Sequence, residues 1–173
     1  MGAESPAIDV ADEGAARQRM IATARLRLRP LMAADVPKLF VMSREAGMRR
    51  WIPDQVYRDE AHAAKVVTRL IDFATQPFDP AMRPFVLGIE FDGELVGHVG
   101  LSPLRRSVEV GYAVEETMQR RGIATEAVRA IVEWARLPEV LGVIAVDNVA
   151  SVRVLERAGF VKLDATCYRA ARQ

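Results

Sequence analysis

The segment from Phe85 to Leu101 limits the fold more than any other part of the chain. Two apolar-rich runs, Phe85 to Phe91 and Glu94 to Leu101, flank the dipeptide Asp92-Gly93. An Asp-Gly pair tolerates the positive φ of a tight hairpin turn, so the two runs are read as antiparallel partners. Val108 to Val114 reads as a further strand. Across Thr23 to Pro30, Leu26 and Leu28 alternate with Arg25, Arg27 and Arg29, the pattern of a half-buried strand. The centre of the molecule is therefore β, and the helices must cover it.

Helical periodicity appears on both sides of that centre. Asp35 is a cap candidate for a short helix with Pro37 near its start and Leu39 and Phe40 on it. Residues 43–58 read as irregular. Asp59 is placed to cap a longer helix in which Ala63, Val66, Val67, Leu70, Ile71 and Ala74 form one apolar stripe, ended by Pro77, Pro80 and Pro84. After Gly122, Ala124, Ala127, Val128, Ile131 and Ala135 share a helical face. Gly142 to Asp147 then reads as a short strand, Asn148 to Ala158 as a helix closed by Gly159, and Phe160 to Leu163 as a last strand. This order predicts an α/β (α+β) domain whose helices flank a mixed, mainly antiparallel central sheet. Residues 1–20, rich in Gly, Ala and acids and without periodicity, are expected to be a loose tail, and 21–173 a single domain.

Composition removes several classes of function. The net charge of +1 gives no global attraction to nucleic acid or to an anionic membrane surface. Cys167 is the lone cysteine, so no internal disulfide is possible, and no Cys/His spacing suggests a metal site. No run of about 18 apolar residues is present to span a bilayer. The N-terminus carries Glu4, Asp9, Asp12 and Glu13 instead of the basic-then-apolar order of a signal peptide. A soluble, cytoplasmic protein is the expectation.

The chemistry is concentrated between Glu109 and Thr125, where a strand and a few turn residues lead into Gln119-Arg120-Arg121-Gly122-Ile123-Ala124 at the start of a helix. A helix start leaves backbone N–H groups unpaired and carries about half a positive charge. Gly122 permits a tight turn and close approach of a phosphate, Ala124 keeps the helix near the ligand, and Arg120 and Arg121 add positive charge at the rim. The segment reads as a pyrophosphate cradle, although a glycine before a helix is as often a plain turn. A Walker loop is excluded because no Gly-Lys-Ser/Thr follows, and the three spaced glycines of a dinucleotide fingerprint are missing.

The same segment resembles the Q/R-x-x-G-x-G/A acetyl-CoA motif of the GNAT superfamily of N-acetyltransferases. It lies in the matching order after Glu109-Val-Gly-Tyr-Ala-Val114 and before Val143 to Val146. Asn148-x-x-Ser151-x-x-Val154-Leu155-x-x-x-Gly159-Phe160 resembles the second half of the same core. Arg25-Leu-Arg-Leu-Arg-Pro30 and Met48-Arg-Arg-Trp51-Ile-Pro53 resemble the RimJ/RimL-like branch, the ribosomal-protein N-terminal acetyltransferases and their relatives. The similarity covers roughly residues 23–164. It implies a GNAT-type sheet whose strand at 108–114 splays from that at 143–147, with acetyl-CoA as acyl donor and no metal. Tyr112, Ala113 and Val114 would hold the pantetheine arm. Gln119, Arg120, Arg121, Gly122, Ile123, Ala124 and Thr125 would hold the pyrophosphate.

Amine acylation needs an uncharged nucleophile. Neutralising a lysine amine at pH 7 costs about 4.6 kcal/mol and an α-amine about 1. Glu109, matching the glutamate of the branch's Glu-Ile/Val-Gly-Tyr segment, is the candidate general base, acting directly or through water; its alternative is an ion pair with Arg105 or Arg106. The leaving thiolate needs little acid assistance. Many GNAT enzymes place a tyrosine where this chain has Leu155, which cannot serve. Ser151, one turn earlier, is carried over instead as the group that hydrogen-bonds the sulfur, against the alternative of a helix-start serine bonding backbone. Asn148 is a helix cap, a pantetheine contact, or both.

The remaining polar residues are less specific. His98 is a buried, hydrogen-bonded histidine, or else a wall of the amine site or a second base. His62 lies off its helix's apolar stripe and should face solvent. Trp51, beside Arg49 and Arg50, lies where the branch builds its acceptor pocket and could equally plug the core. Trp134 reads as packing. The favoured acceptor is a peptide or protein N-terminal α-amine. The alternatives are a small amine (a polyamine, an aminoglycoside or an amino-acid analogue) and a CoA-binding sensor without turnover. The chain is expected to be a monomer or homodimer, with no nucleic-acid or membrane partner.

Overall fold

The computed structural model describes residues 20–171, which form an eight-stranded sheet and five α-helices. The strands are β1 (Ile21–Ala22), β2 (Leu26–Pro30), β3 (Phe85–Phe91), β4 (Glu94–Leu104), β5 (Ser107–Val114), β6 (Glu139–Val143), β7 (Val161–Lys162) and β8 (Cys167–Ala171). They lie in the order β1-β2-β3-β4-β5-β6-β8-β7, antiparallel throughout except where β5 meets β6. The helices are α1 (Val36–Ser43), α2 (Ala46–Trp51), α3 (Glu60–Thr75), α4 (Ile123–Ala135) and α5 (Val149–Arg157). The mixed, mainly antiparallel sheet expected from the sequence is the one observed. The expected tail over 1–20 falls, except for Met20, outside the described residues.

The central hairpin forms as its sequence dictates, with Phe85 opposite Leu101, Phe91 opposite Glu94, and Asp92 and Gly93 at φ 51° and 82° in the turn. Both faces of the sheet are covered. On one, Leu28, Leu87 and Leu101 pack against Ile123, Val128 and Ile131 of α4 and Leu155 of α5. On the other, Leu31, Val36, Leu39, Ala63, Val67 and Leu95 form a second core under α1 and α3. Each such side chain contributes about 1.5–3 kcal/mol by leaving water. Trp134 stacks on Phe85, with centroids 5.1 Å apart and planes 9° apart, so it is packing as read.

Covering both faces changes the environment of residues that alternation alone turned to solvent. Arg29 is only 12 % exposed; it pairs with Asp35 at 2.8 Å and Glu90 at 2.9 Å. Its guanidinium is held more firmly protonated by the Asp35 hydrogen bonds, against the opposing effect of burial. Asp35 precedes α1 as expected but does not cap it; its carboxylate accepts instead from Met32 N–H and Arg29. Asp59 does cap α3, accepting from His62 N–H at 2.7 Å. His62 itself is half-buried, edge-on to Tyr57 at 5.9 Å, and does not simply face solvent.

Three stretches depart from the sequence reading. Residues 43–58, read as irregular, contain α2 and a 3₁₀ turn over Pro53–Gln55. The strand placed at 142–147 is β6 at Glu139–Val143; after it the chain turns, with Asn148 N–H bonded to Ala145 C=O. The last expected strand shrinks to β7, and β8 inserts between β6 and β7. Its entry is set by Asp164, whose Oδ1 accepts from the N–H groups of Thr166 and Cys167.

Candidate active site

The parallel strands β5 and β6 are matched at one pair only, Glu109 with Leu141, and separate beyond it. The other edge of β5 is fully paired to β4, and Glu115 N–H continues that ladder to Val96 C=O. Backbone groups alternate in direction along a strand. Ala113 and Gly111 therefore turn theirs to His98 and Gly100 on β4, while Tyr112 and Val114 turn theirs into the gap toward β6. Val114 C=O is taken by Gln119 Nε2 at 3.0 Å. The N–H groups of Tyr112 and Val114 and the carbonyl of Tyr112 are left to meet an extended ligand. Of the three residues expected at 112–114 to hold the pantetheine arm, Tyr112 and Val114 face the gap, and Ala113 is paired with His98 of β4.

The turn into α4 follows directly. Arg120 and Gly122 both adopt left-handed backbone, φ 63° and 78°, and Gly122 stands at the N-cap without a capping side chain. The first intrahelical bond runs from Glu126 N–H to Gly122 C=O. The N–H groups of Ile123, Ala124 and Thr125 therefore have no helical acceptor. A Cβ at Gly122 would lie 3.4 Å from a guanidinium nitrogen of Arg25, so the space over this helix start is bounded by a cation. Ile123 is buried in the core, fixing the helix, and Arg120 and Arg121 are exposed at the rim. Gln119, expected among the ligand contacts, uses its side chain to tie this turn to β5.

Arg25 was read only as an outward strand position and the first residue of the Arg25–Pro30 segment, and Glu126 was not singled out. Arg25 donates to Arg121 C=O at 3.0 Å and to Glu126 at 2.8 Å, and Thr23 Oγ donates to Glu126 at 2.6 Å. Burial alone would raise the Glu126 carboxyl, but the hydrogen bonds from Thr23 and Arg25 and the Arg25 charge hold it below the usual range. The β1–β2 turn is thereby latched to the first turn of α4. An alternating strand pattern gives no hint of this, because the contact spans about a hundred residues of sequence.

The gap is closed on its third side by α5. Asn148 is buried, and its Oδ1 caps the helix by accepting from Ser151 N–H at 3.2 Å. Tyr112 reaches across from β5 and donates its hydroxyl to Ser151 C=O at 3.3 Å. Burial pushes the Tyr112 hydroxyl up to about 12, so it stays protonated. A hydrogen bond between the Ser151 and Tyr112 side chains works against that rise, so the Ser151 hydroxyl is turned toward β5 and the gap. Leu155 is fully buried, one turn further on, and lies over Gly142, where an added Cβ would approach its methyl to 2.5 Å.

The opposite sheet face, under α1–α3, carries the titratable groups. Alternation places Glu109, Gly111 and Ala113 on that face of β5, facing Ser102, Gly100 and His98 across β4. Glu109 is half-buried and makes no hydrogen bond or ion pair among the described residues; neither Arg105 nor Arg106 pairs with it. Burial raises its carboxyl above the usual range, and the negative charge of Asp54 adds to that. His98 Nε2 lies 3.1 Å from Gln55 Oε1, and burial lowers its pKa to about 4. A neutral imidazole that weak as a base forms a wall better than it takes protons. Trp51 ends α2 with the Arg50 guanidinium 4.3 Å from its ring centre, and Arg50 pairs with Asp147 beyond β6 at 3.0 Å. Neither Trp51 nor its partner belongs to the two cores.

The chain is similar to known acetyltransferases in sequence and in fold. Residues 25–161 match the family described as acetyltransferase (GNAT) domain. The chain is 35 % identical over 79 residues to the probable N-acetyltransferase YjcK of Bacillus subtilis (strain 168), an alignment covering 41 % of this chain and 44 % of that protein. It is 23 % identical over 145 residues to the uncharacterized N-acetyltransferase YnaD of the same organism, covering 80 % and 81 %. Among solved structures, the Salmonella typhimurium acetyltransferase that modifies the N-terminal serine of the 50S ribosomal subunit protein L7/L12 superposes with a TM-score of 0.71. Its sequence is 19 % identical, and the match covers 90 % of this chain and 100 % of that one.

Proposed function

The chain belongs to the acetyltransferase (GNAT) domain family, which makes it an acetyl-CoA-dependent N-acetyltransferase, and we propose that its favoured acceptor is the α-amine of a peptide or protein N-terminus. One observation carries this reading. Glu109 stands where β5 and β6 part, on the face away from α4, with no cation or hydrogen bond to engage its carboxylate. A lone carboxylate only modestly raised in pKa suits an α-amine, which costs about 1 kcal/mol to neutralise at pH 7, better than a lysine at about 4.6. The likeness to the enzyme that modifies the L7/L12 N-terminal serine supports the same class of acceptor.

In this reading the donor lies in the gap between β5 and β6. Its pantetheine is bonded by Tyr112 and Val114, and its pyrophosphate by the N–H groups from Ile123 to Thr125, with Arg120 and Arg121 at the rim. Glu109 takes one proton from the acceptor ammonium, directly or through a water. The freed amine attacks the thioester carbonyl, forming the C–N bond. Collapse breaks the C–S bond, the thiolate leaves hydrogen-bonded by Ser151 Oγ, and the nitrogen's remaining extra proton passes to it to give the thiol. A thiol of pKa near 8.5 needs no strong acid to depart. The products are the N-acetylated amine, CoA thiol and one proton.

Release of CoA thiol from acetyl-CoA tests the proposal. The panel holds peptides with free and blocked N-termini, a lysine-containing peptide with a blocked terminus, a polyamine and an aminoglycoside. Cys167→Ser protein removes the enzyme's own free thiol from the signal. Turnover confined to peptides with free N-termini is expected. Turnover confined to the small amines would replace the acceptor assignment. Acetyl-CoA binding without turnover of any amine would leave a sensor.

A further inference from the structure

The acceptor side of Glu109 contains a space that the sheet leaves empty. Gly111, two residues along β5 from Glu109, is exposed, and an added Cβ there would meet nothing within 4 Å. Its cross-strand partner is Gly100, so two adjacent positions on this face lack side chains. Gly100 has a different reason to be small, since a Cβ there would strike Val86 at 2.8 Å and Phe85 C=O at 2.9 Å. Only the space over Gly111 is open.

The 3₁₀ turn Pro53–Gln55 lies on the same face. Gln55 is pinned to this face of β4 by its 3.1 Å contact with His98, two residues from Gly100. Asp54 is the preceding residue of that pinned turn, and its carboxylate forms no ion pair among the described residues. We propose that Asp54 is a positioning residue for the acceptor: from the pinned turn it draws the incoming amine, as its ammonium ion, into the space over Gly111 and presents it to Glu109. The inference rests on the amine-acetylating reading of the site and extends it to a second carboxylate.

The surroundings of Glu109 favour a cation. The 53–55 turn brings Asp54, whose negative charge acts on Glu109, and β4 places Ser102 opposite Glu109; His98 lies four positions along β4 and is neutral at physiological pH. The β4–β5 turn holds Arg105 and Arg106, both exposed and neither paired with Glu109. On β8, Arg169 stands opposite Leu141 and is drawn to Glu139 at 3.8 Å. A second negative charge near Glu109 disfavours its ionised form until a cation arrives between the two, so the arriving ammonium lowers the cost of both charges. Once the proton has moved to Glu109, the neutral amine is no longer held by Asp54 and is free to attack.

The test is Asp54→Asn, an isosteric change at an exposed turn, compared with wild type on the same peptide amine. The KM for the peptide should rise about tenfold, as expected for loss of one attractive charge contact, with kcat within about twofold. The acid limb of kcat/KM should move to lower pH, because Glu109 loses a negative neighbour. Hydroxylamine, uncharged at neutral pH, should show no such rise in KM. A carboxyl NMR titration of the apo protein gives a readout free of turnover: the Glu109 signal should titrate at lower pH in Asp54→Asn, and should respond to butylammonium in wild type far more than in the variant. An unchanged limb and unchanged KM, or an equal rise for hydroxylamine, would overturn the inference. An ammonium-dependent Glu109 signal in a protein that acetylates no amine would retain it and remove the acetyltransferase reading instead.

Discussion

At the scale of single residues, two charged groups that the sequence presents alike have opposite fates. Arg29 and Glu109 both sit in alternating strands, at positions that pattern alone turns outward. Arg29 is enclosed with Asp35 and Glu90, so truncating it strips the buried Asp35 carboxylate of its cation and leaves Glu90 only the 3.4 Å contact with exposed Arg27. Arg29→Ala should therefore cost about 3–5 kcal/mol, read as a fall in the urea midpoint with the slope unchanged. A loss below about 1 kcal/mol would mean that water reaches the pair. Glu109, by contrast, has no partner to lose, and Glu109→Gln should leave stability nearly unchanged. Its effect is on rate: kcat/KM should drop roughly 10²–10⁴-fold for a lysine-type amine and less for an α-amine. Because burial and Asp54 raise the Glu109 carboxyl, the acid limb in wild type should lie above the usual glutamate range. In the proposed mechanism the deprotonated form acts, so activity should be lost as pH falls through that raised pKa, and the variant should lack this limb. An identical pH profile in Glu109→Gln would assign the base elsewhere.

At the scale of elements, the β3–β4 hairpin, β2, β5 and the Gly122 helix start were legible because their signals are local. An Asp-Gly turn between apolar runs, and a glycine before a helical stripe, need only a few neighbours to take effect. The position of β8 was not legible. Cys167–Ala171 is five residues with one large apolar side chain, Tyr168, and it becomes a strand because the free edge of β6 is there to receive it. The Pro53–Gln55 turn was hidden for the same reason: its place is set by Gln55 meeting His98, not by its own pattern. Leu155 was read only as a missing tyrosine, yet its packing explains why a tyrosine cannot be restored. Its methyls already fill the space over Gly142. Leu155→Tyr should thus destabilise the protein by about 1–3 kcal/mol through overpacking and should not raise kcat. A tyrosine variant of wild-type stability and higher kcat would show that α5 can shift outward and that the acid role is open to this position.

At the scale of the whole molecule, the proposed reaction site lies where one strand pair fails. Eight strands hold together by continuous ladders except between β5 and β6, where pairing stops after Glu109 and Leu141. The gap proposed for the donor, the Gly122 helix start and the Ser151 helix start all border that opening, while the face proposed for the acceptor lies on the other side of β5. A donor that completes the sheet must change some amides of β5 and spare others. Gly111 and Ala113 already direct their N–H groups to β4, whereas those of Tyr112 and Val114 face the gap. Hydrogen exchange followed by NMR should show this alternation directly. At an acetyl-CoA concentration about a hundred times Kd, amides that exchange only by global unfolding gain up to about 2.7 kcal/mol of protection. Tyr112 and Val114 should go from fast local exchange to strong protection, while Gly111 and Ala113 gain no more than the global increment. Equal gains at all four positions would mean that the ligand merely stiffens the domain. Gains confined to Ile123, Ala124 and Thr125 would mean that it is held by its phosphates alone, with the pantetheine outside the gap.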